Sequence, residues 1–184
     1  MNKSWNVLIA DDEPNIREGI RDAIDWQRLG LEVVAEAEDG EEALELALLH
    51  QVQLLLVDLN MPIMNGMTLI GRIREQLPAC KIIIITGHDE FTYAQEAIRL
   101  NVDDYILKPV NPKQLYQVLE ALTKQMDIAE KNQQHLLQAS KQIEKNFSLL
   151  RERFCIEWIE GELSEVKLQN SSASSSFPML YLQL

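Results

Sequence analysis

Cysteine, proline and glycine are scarce in this 184-residue chain, numbering two, six and seven. The two cysteines, Cys80 and Cys155, lie far apart without metal-ligand spacing, which argues against a disulfide framework and suits a reducing cytosol. So few breakers beside 46% hydrophobic residues exclude a low-complexity chain and predict a globular one with a sizeable core. Basic residues are also short: 17 against 29 acidic, a net charge of −12. That balance repels phosphate backbones, so these residues are not expected to hold nucleic acid by themselves. The start, Met1 to Asp11, lacks the apolar stretch of a signal peptide, and no apolar run approaches a membrane span. Asn146-Phe147-Ser148 and Asn170-Ser171-Ser172 match a glycosylation pattern, but a cytoplasmic chain does not meet that machinery. The expectation is a soluble, cytoplasmic protein.

What is present is alternation. Short apolar runs at Trp5–Ala10, Leu31–Ala37, Leu54–Val57, Ile82–Ile85 and Asp104–Leu107 read as strands buried on both faces. Amphipathic patterns near Asn15–Asp25, Gly40–His50, Gly66–Gln76 and Phe91–Leu100 separate them, and a further one opens at Asn111-Pro112. Repeated switching from strand to helix predicts βα units and a parallel sheet. Five such units in roughly 120 residues fit a flavodoxin-like, doubly wound α/β fold with strand order 2-1-3-4-5. Ligands in that fold sit at the carboxyl ends of the strands, beside the switch point between the first and third.

Polar residues cluster where the apolar runs stop. The first run ends in Asp11-Asp12-Glu13, the third in Asp58, the fourth in Thr86-Gly87 and the fifth in Lys108-Pro109. Any one of them reads equally well as a cap or turn residue; their convergence on one sheet edge does not. Three carboxylates from neighbouring strands repel one another unless a cation lies between them. Oxygen donors without nearby His or Cys point to Mg²⁺, which leaves a carboxylate free to react. Asp58, projecting centrally from the third strand, is the expected nucleophile, and carboxylate attack on phosphorus gives an acyl phosphate. Lys108 would neutralise one phosphoryl oxygen, Thr86 would offer its hydroxyl to another, and Gly87 leaves the approach open.

The stretches Leu8-Ile9-Ala10-Asp11-Asp12-Glu13-Pro14, Asp58-Leu59-Asn60-Met61-Pro62-Ile63-Met64-Asn65-Gly66 and Tyr105-Ile106-Leu107-Lys108-Pro109, with Thr86, resemble response-regulator receivers of two-component systems. The likeness covers residues 5 to about 122. It implies a receiver domain over residues 1–122, with Asp58 phosphorylated by a sensor histidine kinase. It implies that Asp11, Asp12, Asp58 and the Asn60 backbone carbonyl hold the metal, that Thr86 and Tyr105 relay the switch, and that Pro109 follows a cis bond. Asp25-Trp26 and Leu149-Leu150-Arg151-Glu152-Arg153-Phe154 resemble regulators of the YesN type, in which an AraC-class DNA-binding domain follows. DNA would then be bound only through a domain outside these residues, in service of transcription control.

From Asn111-Pro112 the helical pattern meets no Pro or Gly until Gly161. Alternating spacings of four and three select Leu115, Leu119, Leu122, Met126, Ala129, Gln133, Leu136, Ser140, Ile143, Phe147, Leu150 and Phe154. A heptad stripe of this length predicts a coiled coil, here a parallel homodimer joined along Leu115 to Phe154, with a hairpin folding back on the receiver as the alternative. The expected organisation is therefore a coiled-coil linker over 123–160, then a Ser-rich linker and the truncated start of another domain over 161–184.

Three other functions compete. A magnesium-dependent phosphatase or phosphotransferase would carry its nucleophile as the first of two acids on strand one and need a cap domain. A nucleotide or flavin binder would want a Gly-rich loop where Asp11-Asp12-Glu13-Pro14 stands. A structural coiled-coil protein leaves the acidic edge unexplained. The expectation is a signalling switch and not an enzyme.

Overall fold

A computed structural model describes residues 4–87 and 100–173, and the chain divides into two compact units, Met1–Ile128 and Ala129–Leu184. The first holds β1 (Trp5–Ala10), α1 (Pro14–Ala23), a 3₁₀ turn (Gln27–Leu29), β2 (Leu31–Ala37), α2 (Gly40–Leu49), β3 (Leu54–Val57), α3 (Gly66–Gln76), β4 (Lys81–Thr86) and β5 (Asp104–Leu107). The last helix, α4 (Pro112–Ala173), begins in the first unit and supplies the described part of the second. The helix expected over Phe91–Leu100 falls almost wholly outside the described residues.

The five strands are parallel, in the order β2-β1-β3-β4-β5. Pleating sends alternate side chains to opposite faces, and each face has its own core. Leu8, Leu55, Val57, Ile82 and Ile84 pack with Ala43 and Ala47 of α2 and with Leu69, Ile70 and Ile73 of α3. Val7, Ile9, Leu54, Leu56, Ile83 and Ile85 pack with Ile20 of α1 and with Leu115, Leu119 and Leu122 of α4. Burial on both sides explains why the central strands β1, β3 and β4 read as nearly continuous apolar runs and not as alternating ones.

Side-chain caps set the helix starts. Asp39 accepts from the amides of Glu41 and Glu42, Asn65 from that of Thr68, and Asn111 from those of Lys113 and Gln114, with Pro112 at the first helical position. The first helix differs, because its cap residue Glu13 makes no side-chain capping bond. It also stops at Ala23, earlier than the apolar pattern implied. Ile24 turns extended and is buried, and Asp25 accepts the Arg28 amide at the start of the 3₁₀ turn.

Two expectations for the last helix need correction. Gly161 does not end it; α4 runs on to Ala173, so the linker expected from residue 161 is helical over its first part. A lone glycine costs about 1 kcal/mol in a helix, too little to break one unaided. The apolar segment Phe177–Leu184 lies outside the described residues. Further back, Leu115, Leu119, Leu122 and Met126 are buried in the first unit's own core and are not available to a second chain. Four-three spacing marks a face that will be covered and does not say by what.

Candidate functional site

Three strand ends build one polar edge. Beyond β1, the Asp11 amide donates to the Ala37 carbonyl at the end of β2. Beyond β3, the Asp58 amide donates to the Ala10 carbonyl at 2.8 Å. Beyond β5, the Lys108 amide donates to the Thr86 carbonyl at 2.7 Å. Asp11, Asp58, Thr86 and Lys108 are thereby held by ladder bonds that extend the sheet past its apolar body. The Lys108–Pro109 peptide is cis, as the resemblance implied.

The two buried aspartates use their oxygens in the same way. Asp11 is 1% exposed and Asp58 4%. Each turns Oδ1 to a nearby amide, that of Glu13 at 3.0 Å for Asp11 and that of Leu59 at 2.8 Å for Asp58. Each turns Oδ2 to the Lys108 ammonium, at 3.0 Å from Asp11 and 2.9 Å from Asp58. Glu13 reaches the same Nζ at 3.4 Å. Burial holds the Asp11 carboxyl above its ordinary value, only partly offset by the Glu13 amide and by Lys108. Burial would by itself lower Lys108, but its hydrogen bond to Asp58 and its close pairing with Asp11 outweigh that and raise it, keeping it a fixed cation.

Asp12 is exposed beside this pair. Among the described residues, Asp11, Asp12 and Glu13 bring carboxylate oxygens within 4.8 Å of one another. Asp11 Oδ2 is buried and makes no hydrogen bond of good geometry, only the ion pair with Lys108. An oxygen-only cluster with an under-satisfied buried carboxylate fits a hard divalent cation such as Mg²⁺. The convergent trio includes Glu13, which the sequence reading placed at the edge without a role. Asn60 lies exposed in the loop after Asp58. The Thr86 hydroxyl is fully buried with no hydrogen-bond partner among the described residues, a strand away from the half-buried Tyr105.

The loop from Asp58 to α3 is packed tightly enough to constrain its residues. A Cβ on Gly66 would stand 2.1 Å from the Asp58 carbonyl oxygen, so only glycine lets α3 start against the acceptor loop. At Gly40 a Cβ would stand 2.3 Å from the Met64 carbonyl oxygen, so α2 braces the same loop. Between them Ile63 is 78% exposed with φ +64°, a left-handed conformation that a β-branched residue rarely adopts.

The site is thus two buried acids and a lysine at the switch point of a five-stranded, doubly wound parallel sheet. Sequence comparison matches residues 7–120 to the response regulator receiver domain. The transcriptional regulatory protein YesN of Bacillus subtilis strain 168 is 35% identical over 135 residues, 72% of this chain and 37% of that protein. The transcriptional regulatory protein HptR of Staphylococcus aureus strain N315 is 39% identical over 120 residues, 65% of this chain and 47% of its own length. The chain thus spans less than half the length of these relatives. Among solved structures, the receiver domain of AraT, a response regulator from Geobacillus stearothermophilus, is 61% identical with a TM-score of 0.67, covering 68% of this chain and 98% of its own. A two-component transcriptional regulator AraC from Clostridium phytofermentans is 31% identical with a TM-score of 0.63, over 70% and 98%. The chain belongs to the response regulator receiver family of two-component systems.

Proposed function

We propose that Asp58 accepts a phosphoryl group from a sensor histidine kinase and that this drives a dimeric output. The observation that carries the reading is the pairing of a buried Asp58 carboxylate with Lys108 at 2.9 Å, at the switch-point end of the sheet. An Asp58 oxygen attacks the phosphorus of a phosphohistidine; the new O–P bond replaces the P–N bond, and the imidazole leaves with a proton from solvent. Lys108 is already on the acceptor oxygen and is placed to follow the added charge. Mg²⁺ would be held by Asp11, Asp12 and Asp58 with the Asn60 carbonyl, Glu13 standing beside them, and would neutralise phosphoryl oxygens. The buried Thr86 hydroxyl turns to a phosphoryl oxygen, and Tyr105 takes up the space this frees, so phosphorylation shifts a population between two arrangements. On this reading the chain is a cytoplasmic switch whose substrate is its own side chain, and not an enzyme. No helix among the described residues is long and apolar enough to cross a membrane.

The second unit supports the dimer. Leu136, Ile143 and Phe147 are exposed at 72%, 57% and 64%, on the stripe that Ala129, Gln133, Ser140, Leu150 and Phe154 continue. A second copy of this helix, parallel and in register, covers them. The relatives named as transcriptional regulators extend the reading to DNA binding by a further domain of the whole protein.

Acetyl phosphate with Mg²⁺ should add one phosphoryl mass to the wild type and none to Asp58→Asn; equal uptake by that variant would remove the assignment. Sedimentation of the unphosphorylated chain should give a dimer, and Leu136→Asp with Ile143→Asp a monomer that still phosphorylates. A monomeric wild type at tens of micromolar, or cross-links between Lys124 and the partner copy's Lys145, would favour the hairpin or an antiparallel pair.

A further inference from the structure

Asp12 stands at the mouth of the acidic cluster, yet no hydrogen bond or ion pair among the described residues holds its carboxylate. What the fold sets is therefore the position of its Cβ, through its backbone, and the peptide plane entering it carries the Asp11 carbonyl. That carbonyl is gripped by Arg17, whose Nη1 donates to it from one turn into α1. The same guanidinium faces Glu36 of β2, with Nε 3.6 Å from Oε2. Glu36 in turn accepts from Arg21 at 2.7 Å. The residue after Glu36, Ala37, accepts the Asp11 amide at 3.1 Å. Both polar ends of the Asp11 backbone thus belong to one ring that joins the end of β1, the second turn of α1 and the end of β2, closed at Glu36 by an ion pair and not by a hydrogen bond. The Arg17 side chain is 14% exposed, so the grip is shielded from water.

This ring serves no capping need, because α1 is not capped by a side chain and its first position is Pro14. It also works against simple electrostatics, since a guanidinium beside a cation site repels the cation. We propose that Arg17, oriented by Glu36, is a positioning residue that presets the Asp11–Asp12 peptide for divalent-cation binding. The inference rests on the metal reading above. A ligand-supporting contact of this kind is worth about tenfold in metal affinity.

The test is Mg²⁺ binding to the full chain by calorimetry, with melting in EDTA and in Mg²⁺ as a second measurement. The double variant Arg17→Gln, Glu36→Gln removes one charge of each sign, so the local charge is unchanged while the ring is lost, together with the exposed ion pair of Glu36 with Arg21. It should bind Mg²⁺ about tenfold more weakly and lose most of the Mg²⁺-induced rise in melting temperature. Arg17→Lys keeps the charge but cannot make both contacts, so its affinity should fall between wild type and the double variant. It serves as the readout if the double variant does not fold. Lower melting in EDTA with unchanged Mg²⁺ affinity would mean a merely structural ring and overturn the proposal. Tighter binding by Arg17→Ala with no change in the double variant would mean charge alone, and overturn it too. A wild type that binds no Mg²⁺ would sink the metal reading itself, and this inference with it.

Discussion

The two stretches of α4 carry the same spacing and meet opposite surroundings. Up to Ile128, Leu115 and Leu119 are fully buried and Leu122 and Met126 nearly so. Beyond it, Leu136, Ile143 and Phe147 on the same stripe are open to solvent. Charge divides likewise. Residues 1–128 hold 11 basic and 22 acidic side chains, a net −11, while 129–184 hold six and seven, a net −1. The first stretch is covered by its own sheet and its protein can afford a strongly charged surface. The described part of the second is a helix in a near-neutral stretch, and its exposed apolar stripe is the face on which the proposed dimer rests. One heptad pattern thus runs from a stretch buried within its own domain to a stretch left exposed, and it is the exposed stretch that the proposed dimer covers.

The largest effects should separate those halves. Leu119→Ala removes a fully buried side chain and should cost about 2–5 kcal/mol in denaturant unfolding. Leu136→Ala, measured at concentrations too low for dimers, should stay within about 0.5 kcal/mol of wild type. Equal losses at the two sites would show that the second stripe is already covered within one chain. Gly66→Ala is the next in size. Its new methyl would press on the Asp58 carbonyl, costing about 1–3 kcal/mol and slowing phosphorylation, with sedimentation unchanged.

Much of this was legible beforehand, for physical reasons. Strands buried on both faces advertise themselves as near-continuous apolar runs, as the central β1, β3 and β4 do, while the edge strands β2 and β5 carry the exposed Glu32 and Asp104. The run at Ile82–Ile85 undershot β4 by one residue at each end because Lys81 and Thr86 are polar. Lys81 is tied to Asp103 at 2.7 Å and Thr86 is buried in the site, neither of which a hydropathy pattern can register. The acids and Lys108 stood out because polar residues at strand ends are visible in one dimension. Arg17 was not visible, since its grip on Asp11 depends on Glu36 arriving from another strand. Nor does spacing alone distinguish Met126, buried, from Phe147, exposed.

A smaller effect lies at the border between the stretches. The Trp5 indole N–H donates to Asp127 at 2.9 Å, one residue before the first unit ends. Asp127→Ala removes that bond from an exposed site and should cost about 0.5–1.5 kcal/mol, read by thermal melting. Loss of dimer in this variant at unchanged receiver stability would show that the two stretches are coupled more closely than their separate burial implies.

The smallest effect is a matter of sign, and it belongs to the charged unit alone. Burial holds the Asp11 carboxyl above its ordinary value, so the folded state favours the protonated form more than the unfolded chain does. A group raised in this way contributes fully below its unfolded value, near 3.8, and loses that contribution as pH rises through its folded one. At neutral pH its charge therefore works against folding. In EDTA at pH 7, Asp11→Asn should melt above wild type, and the gap should close as pH falls below about 4, where both side chains are neutral. Millimolar Mg²⁺ should reverse the order, because only the wild type keeps the full carboxylate set and gains stability from the bound ion. A gap that persists at low pH would trace the change to packing and not to charge; an order that survives Mg²⁺ would remove Asp11 from the metal site.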